Sequence, residues 1–192
     1  MEKKTYKQAL LDELYAPYKN CMLCPLATMG RSHVVFGRGN PDAELLIIGE
    51  GPGRDEDLQG LPFVGRSGKL LSKALDALFI PEDDIYISNI VKCRPPGNRA
   101  PLPSEASTCM NILLKKQIAI IRPKIMCTLG SSATHFLLGI NTPISQLRGK
   151  LISSPFNIPV LPTFHPAYIL RNPKELGSFV ADLTAAKKTI SK

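Results

Sequence analysis

The chain has 192 residues, 44% apolar and 21% charged, the balance of a globular protein and not of a disordered one. At this length about 70% of the unfolded surface can be buried, enough for a core without staples. No apolar run reaches the roughly 18–20 residues of a membrane span. The opening MEKKTYKQALLDELYAPY lacks the apolar stretch of a signal peptide, so one cytoplasmic domain is expected. The net charge is +8, and the stretch from Ala106 to Lys174 holds eight basic residues and no acidic one. That segment accounts for the whole excess; it reads either as a face for a polyanion or as the plain surface of a basic protein.

In chain order, Lys4–Lys19 reads as an amphipathic helix with Ala9, Leu10, Leu14 and Tyr6 inward. Short apolar runs at Leu45–Gly49, Ile85–Val91, Lys124–Leu129 and Pro159–Phe164 read as buried strands. Helical patterns at Ser67–Leu78, Ser104–Ile121, Ser131–Leu138 and Lys174–Lys188 alternate with them, and Ser104 suits an N-cap. The alternation predicts an α/β domain whose parallel sheet is covered on both faces. Ligands of such sheets bind at the carboxyl ends of the strands. The residues there are Glu50-Gly51-Pro52-Gly53, then Asn89 with Lys92-Cys93-Arg94, then Gly130-Ser131-Ser132, then His165-Pro166. Polar, chemically able residues at all four strand ends point to an enzyme.

Five cysteines are present. Cys21 and Cys24 form a C-x2-C pair, and Cys93 and Cys109 bracket a loop stiffened by Pro95, Pro96, Pro101 and Pro103. Four thiols in a cytoplasmic protein favour a metal site over disulfides or a redox pair, with zinc and iron–sulfur equally allowed. Cys127, inside a strand run, reads as a small core residue.

The stretch after the first strand, GEGPGRDEDLQGLPFVG, lets the backbone approach a ligand closely but lacks the Gly-Lys-Ser/Thr ending of a P-loop. Glu50 there is either a solvated carboxylate or a group that polarises a water, and Phe63 either a core anchor or a platform for a planar base. His165 stands at a strand end before a rigid proline turn, and Tyr168, Ile169 and Leu170 beside Arg171 form an apolar tip able to wedge into a base stack.

Three segments taken together resemble the family 4 uracil-DNA glycosylases: GEGPG with Gly60-x-Pro62-Phe63-Val64-Gly65, Asn89-Ile90-Val91-Lys92-Cys93-Arg94-Pro95-Pro96, and His165-Pro166-Ala167-x-x-Leu170-Arg171. The resemblance runs from about Cys21 to Arg171. It implies an α/β/α sandwich with a central four-stranded parallel sheet and one domain over residues 1–192. It also implies a four-iron, four-sulfur cluster on Cys21, Cys24, Cys93 and Cys109 that ties down an N-terminal arm of about residues 1–24, with no organic cofactor. The activity it implies is monofunctional hydrolysis of the N-glycosidic bond of uracil in single- or double-stranded DNA, by a monomer.

On that reading the target nucleotide is flipped out of the stack. Uracil lies against Phe63, among Glu50, Gly51, Gly53 and Glu56. The Asn89 amide accepts from uracil N3–H and donates to O4, a pattern cytosine cannot meet. Glu56 either fills the space of a thymine methyl or is one charge of a solvated run. His165, as neutral imidazole, donates to the oxygen that gains charge on cleavage. Ser131, Ser132, Arg148, Leu170 and Arg171 contact DNA, with Lys150 adding charge. Glycosylases of this fold can carry an Asp right after the Glu50 position to orient water; here Gly51 stands there, which leaves Glu50 as the nearest carboxylate. A rival that traps itself covalently on uracil-DNA carries a His in the loop after the Asn segment, and Arg94–Pro101 has none. A four-cysteine metal module that only binds nucleic acid would not need Glu50, Asn89 and His165 at strand ends.

Overall fold

The computed structural model describes residues 5–190. Its centre is a five-stranded sheet in the order β1-β3-β2-β4-β5. The strands β2 (Leu45–Gly49), β3 (Ile85–Asn89), β4 (Ile125–Leu129) and β5 (Val160–Thr163) are parallel, as expected. The fifth, β1 (Arg38–Gly39), is a two-residue antiparallel edge on β3 that periodicity could not reveal. Gly39 makes that edge possible: at φ +122°, a Cβ there would collide with the Ile85 carbonyl.

Alternate strand residues feed two cores, because successive side chains point to opposite faces. Leu46, Ile48, Tyr86, Met126 and Val160 join the core under α1 (Tyr6–Tyr15), α4 (Pro103–Cys109), α5 (Lys115–Ile121) and α6 (Ser131–Leu138). Leu45, Ile47, Ile87, Ile125, Cys127 and Leu161 join the core under α3 (Arg66–Ala77), α8 (Pro166–Arg171) and α9 (Leu176–Ile190). The result is a three-layer α/β/α sandwich. Cys127 is the core residue its strand position implied. Two short helices, α2 (Arg54–Gln59) and α7 (Ile144–Leu147), lie in segments to which the sequence reading assigned no element.

Three local expectations are corrected. The predicted helix start at Lys4 lies outside the described residues; within α1 it is Leu11 that is buried, while Ala9 is exposed and Tyr6 is 79% exposed. Lys7, four residues before Leu11 and so on the same face of α1, donates to the Ile121 carbonyl at the end of α5 and holds that face inward. Ser104 is not an N-cap: Pro103 takes the first helical position, where its missing N–H is no loss, and Glu105 reaches back to the Leu102 N–H at 2.7 Å. The helix predicted over Ser104–Ile121 is interrupted by a π turn at Met110–Leu114 just after Cys109.

Candidate active site at the carboxyl end of the sheet

A cleft of about 540 Å³ opens at the carboxyl ends of β2, β3, β4 and β5. Chain order reverses about β2, and the loops leaving β2 and β4 part there to make the crevice. Glu50, Gly51, Gly53, Glu56, Phe63, Asn89, Ser131, Ser132, His165 and Arg171 all line it. These residues come from five segments that the sequence reading had gathered only by position.

Asn89 closes β3 and is 1% exposed. Among the described residues neither its amide oxygen nor its amide nitrogen has a hydrogen-bond partner. A buried polar group left so costs about 1–3 kcal/mol, which a ligand edge with one donor and one acceptor would remove. Its neighbour Gly49 makes the space: a Cβ there would strike Asn89 Oδ1 and come within 2.6 Å of Phe63 Cζ.

Phe63 is buried and held at φ +55°, a conformation rarely adopted by an aromatic residue. Glu56, in α2, holds the turn around it. One carboxylate oxygen accepts from Val64 and Gly65 N–H at 3.0 and 2.8 Å, and the other from Gly53 N–H at 3.1 Å. Glu56 is therefore a buried brace between two loops of the cleft, not one charge of a solvated run.

His165 caps α8, and its ring centroid lies 6.0 Å from that of Phe63. Its Nδ1 faces the Ala167 N–H at 3.1 Å. An N–H can only donate, so Nδ1 accepts and the neutral ring carries its proton on Nε2. Burial, with the Arg171 charge, pushes His165 down to about 4 and keeps the ring neutral. Glu50 is half-buried, and burial raises its carboxyl above the usual range. The Ser132 hydroxyl opposes that rise from nearby without reaching full hydrogen-bond geometry.

Ser131 and Ser132 open α6 directly after Gly130 and line the cleft, and the first turn of a helix leaves N–H groups without intrahelical partners. The segment read as an apolar tip is the helix α8. In it Ile169 turns inward to 2% exposure, while Leu170 is 40% exposed and Arg171 lines the cleft. Arg148 is corrected: its guanidinium forks onto Asp182 at 3.0 and 2.7 Å and donates to the Ser178 carbonyl at 2.6 Å. It does not line the cleft, and its charge is taken up between β5 and α9. The sequence reading missed Arg99, which lines the cleft and pairs with the buried Glu105 at 2.7 and 2.9 Å. The basic loop between Cys93 and Cys109 was the only signal for it.

Cys93 and Cys109 are buried, Cys21 and Cys24 half-buried. Burial raises the thiols of Cys24 and Cys93 and pushes Cys109 up to about 12, and each feels the charge of others in the set. Among the described residues no three His, Cys, Asp or Glu side chains stand close enough to hold a single metal ion. The sulfurs do meet donors: Arg31 Nη1 approaches Cys93 Sγ at 3.1 Å and the Lys92 N–H approaches Cys109 Sγ at 3.3 Å. Such donors suit thiolates, and an iron–sulfur cluster holds its thiolates wider apart than one ion does.

An unpartnered amide, a braced aromatic ring and a neutral imidazole meet in the cleft at the switch point of the sheet. Residues 36–187 match the family model of the uracil DNA glycosylase superfamily, and the chain belongs to that superfamily. It is 43% identical to a type-4 uracil-DNA glycosylase of Thermotoga maritima over 97% of both chains. It is 37% identical to the type-4 enzyme of Archaeoglobus fulgidus, over 90% of this chain and 89% of that one. It is 38% identical to that of Saccharolobus solfataricus, over 94% of this chain and 87% of the relative.

Proposed function

We propose that this protein is a monofunctional uracil-DNA glycosylase, hydrolysing the bond between uracil and deoxyribose and leaving an abasic site. The observation that carries the reading is the buried Asn89 amide, unpartnered and facing the cleft beside Phe63 and His165. Uracil offers a donor at N3 and an acceptor at O4, which satisfy both amide atoms at once. Cytosine offers the reverse and would leave both unpaired. As the bond breaks, charge develops on uracil O2, and the His165 Nε2–H donates to it. The half-buried Glu50 orients the water that adds to the sugar, and Glu56, by bracing the turn of Phe63, sets the wall against the C5 position of the base.

Ser131, Ser132 and Arg171 take the phosphates that flank the flipped nucleotide, and Leu170 props the stack it leaves. Cys21, Cys24, Cys93 and Cys109 would hold a four-iron, four-sulfur cluster. When bound, that group supplies a structural staple between the N-terminal arm and the loop that carries Arg99. The protein acts as one domain and as a monomer in the cytoplasm; no helix among the described residues is long and apolar enough to cross a membrane.

The test is excision from a labelled single-stranded oligonucleotide carrying one uracil, with a thymine control, by anaerobically purified protein. Strand cleavage at uracil only, and only after alkali, is the expected result. A stable shifted complex without cleavage would replace the reading by covalent capture or simple binding.

A further inference from the structure

Among the described residues a lysine, Lys92, is fully buried, at 0% exposure. It does not line the cleft, so it touches neither substrate nor water there. Its ammonium donates to the main-chain carbonyl of Asn89 at 2.9 Å, to Gln117 Oε1 at 2.7 Å and to Ser88 Oγ. All three acceptors are neutral oxygens. The network closes behind them: Ser88 Oγ donates to Gln117 Oε1 at 2.9 Å, and Gln117 Nε2 donates to the Phe36 carbonyl at 3.0 Å. A methionine would fill the same volume without the desolvation of an ammonium, which its neutral partners offset only in part. The buried amine is explained by what it holds.

What it holds is the residue that reads the base. Asn89 is the last residue of β3 and pairs with Gly49, the last of β2. Past that point the Ile90 and Val91 N–H groups still donate to the Gly49 and Glu50 carbonyls at 2.9 and 3.1 Å, and the Asn89 carbonyl is held by Lys92 Nζ. The main chain of Lys92 is fixed too: its carbonyl accepts from Val35 N–H at 2.7 Å, and its N–H meets Cys109 Sγ at 3.3 Å. We infer that Lys92 is a positioning residue for the uracil-reading amide: by clamping the Asn89 carbonyl it fixes the backbone from which the unpartnered side chain projects. The inference rests on the reading of Asn89 as the residue that grips the base.

The test combines Lys92→Met, Asn89→Ala and the double variant, each measured for single-turnover excision, for affinity toward free uracil and for affinity toward abasic DNA. Lys92→Met is expected to slow excision and weaken uracil binding by about tenfold or more while abasic-DNA affinity stays within about twofold, and to add nothing in the Asn89→Ala background. Additive losses, or a parallel fall in uracil and abasic-DNA affinity, would mean that Lys92 only supports the fold, and the inference is overturned. An Asn89→Ala variant that excises normally would instead overturn the reading beneath it. Should Lys92→Met not fold, Ser88→Ala removes one acceptor without touching the charge. It is expected to show a smaller loss with the same non-additivity, and additivity there would overturn the inference equally.

Discussion

At the residue scale, His165 and Glu50 give the cleft opposite pH sensitivities. His165 is pushed down to about 4 and donates from Nε2 in its neutral form. The ring therefore stays a neutral donor at every pH above that value. Glu50 is raised by burial, so its carboxylate is lost at a pH above the ordinary carboxylate range, before His165 charges. The acid limb of the excision profile should report Glu50, and Glu50→Gln should be slower at neutral pH and lack that limb. His165→Ala should lose about a hundredfold or more in single-turnover rate, the scale of one oxyanion donor, with DNA affinity kept. The depressed His165 pKa also has a stability sign. The unfolded ring takes a proton near pH 6.5 and the folded ring only near 4, so its contribution is complete above 6.5 and is lost as pH falls toward 4. Thermal unfolding of wild type and His165→Gln across that window measures it.

The element scale separates two arginines that the sequence reading had grouped together. Arg148 ties the segment before β5 to α9 through Asp182, whereas Arg171 ends α8 at the cleft. Arg148→Met should destabilise by about 3 kcal/mol, because it strands the nearly buried Asp182, and leave the salt dependence of DNA binding unchanged. Arg171→Ala should leave the melting temperature in place, weaken DNA binding and reduce the salt slope by about 1. Glu56 belongs to this scale as well, since it joins α2 to the Phe63–Gly65 turn. Glu56→Ala frees the N–H groups of Gly53, Val64 and Gly65 and should cost about 1–3 kcal/mol in thermal unfolding, with slower excision as the Phe63 turn loosens.

Across the whole molecule, the four cysteines and the cleft share the segment from Cys93 to Cys109. Its Pro95, Asn98 and Arg99 form one wall of the cleft, and Arg99 is fixed there by Glu105. Cys93 and Cys109 belong to the core under α1, α4, α5 and α6, while the core under α3, α8 and α9 holds none of the four thiols. Removing iron from the loaded protein should therefore leave the circular dichroism of the sheet and helices largely intact, expose the segments around Cys24 and Cys93 to protease, and abolish excision.

Much of this was legible in the sequence. The strand Leu45–Gly49 and the helix Ser131–Leu138 match the expectation residue for residue, and the other strands differ by a residue or two at their ends. Apolar runs bounded by glycine and polar residues encode burial locally, and the strand ends that follow them placed Glu50, Asn89, Ser131 and His165 at one edge of a sheet. What the sequence could not carry is pairing between distant positions. Glu56 and Asp55 look alike along the chain, yet only Glu56 meets three backbone donors. Arg148 and Arg171 both belong to the same acid-free stretch, and only an Asp182 lying 34 residues on distinguishes them. Ile169 and Leu170 are equivalent in composition, and the turn of α8 sends one inward and one out. Lys92 reads as one of the polar residues at a strand end, and only the packing of β3, α5 and the Phe36 segment over it buries it. Hydrophobic period fixes which elements form, whereas the partner of a charged side chain is set by which elements the fold packs together, and that only the tertiary structure decided.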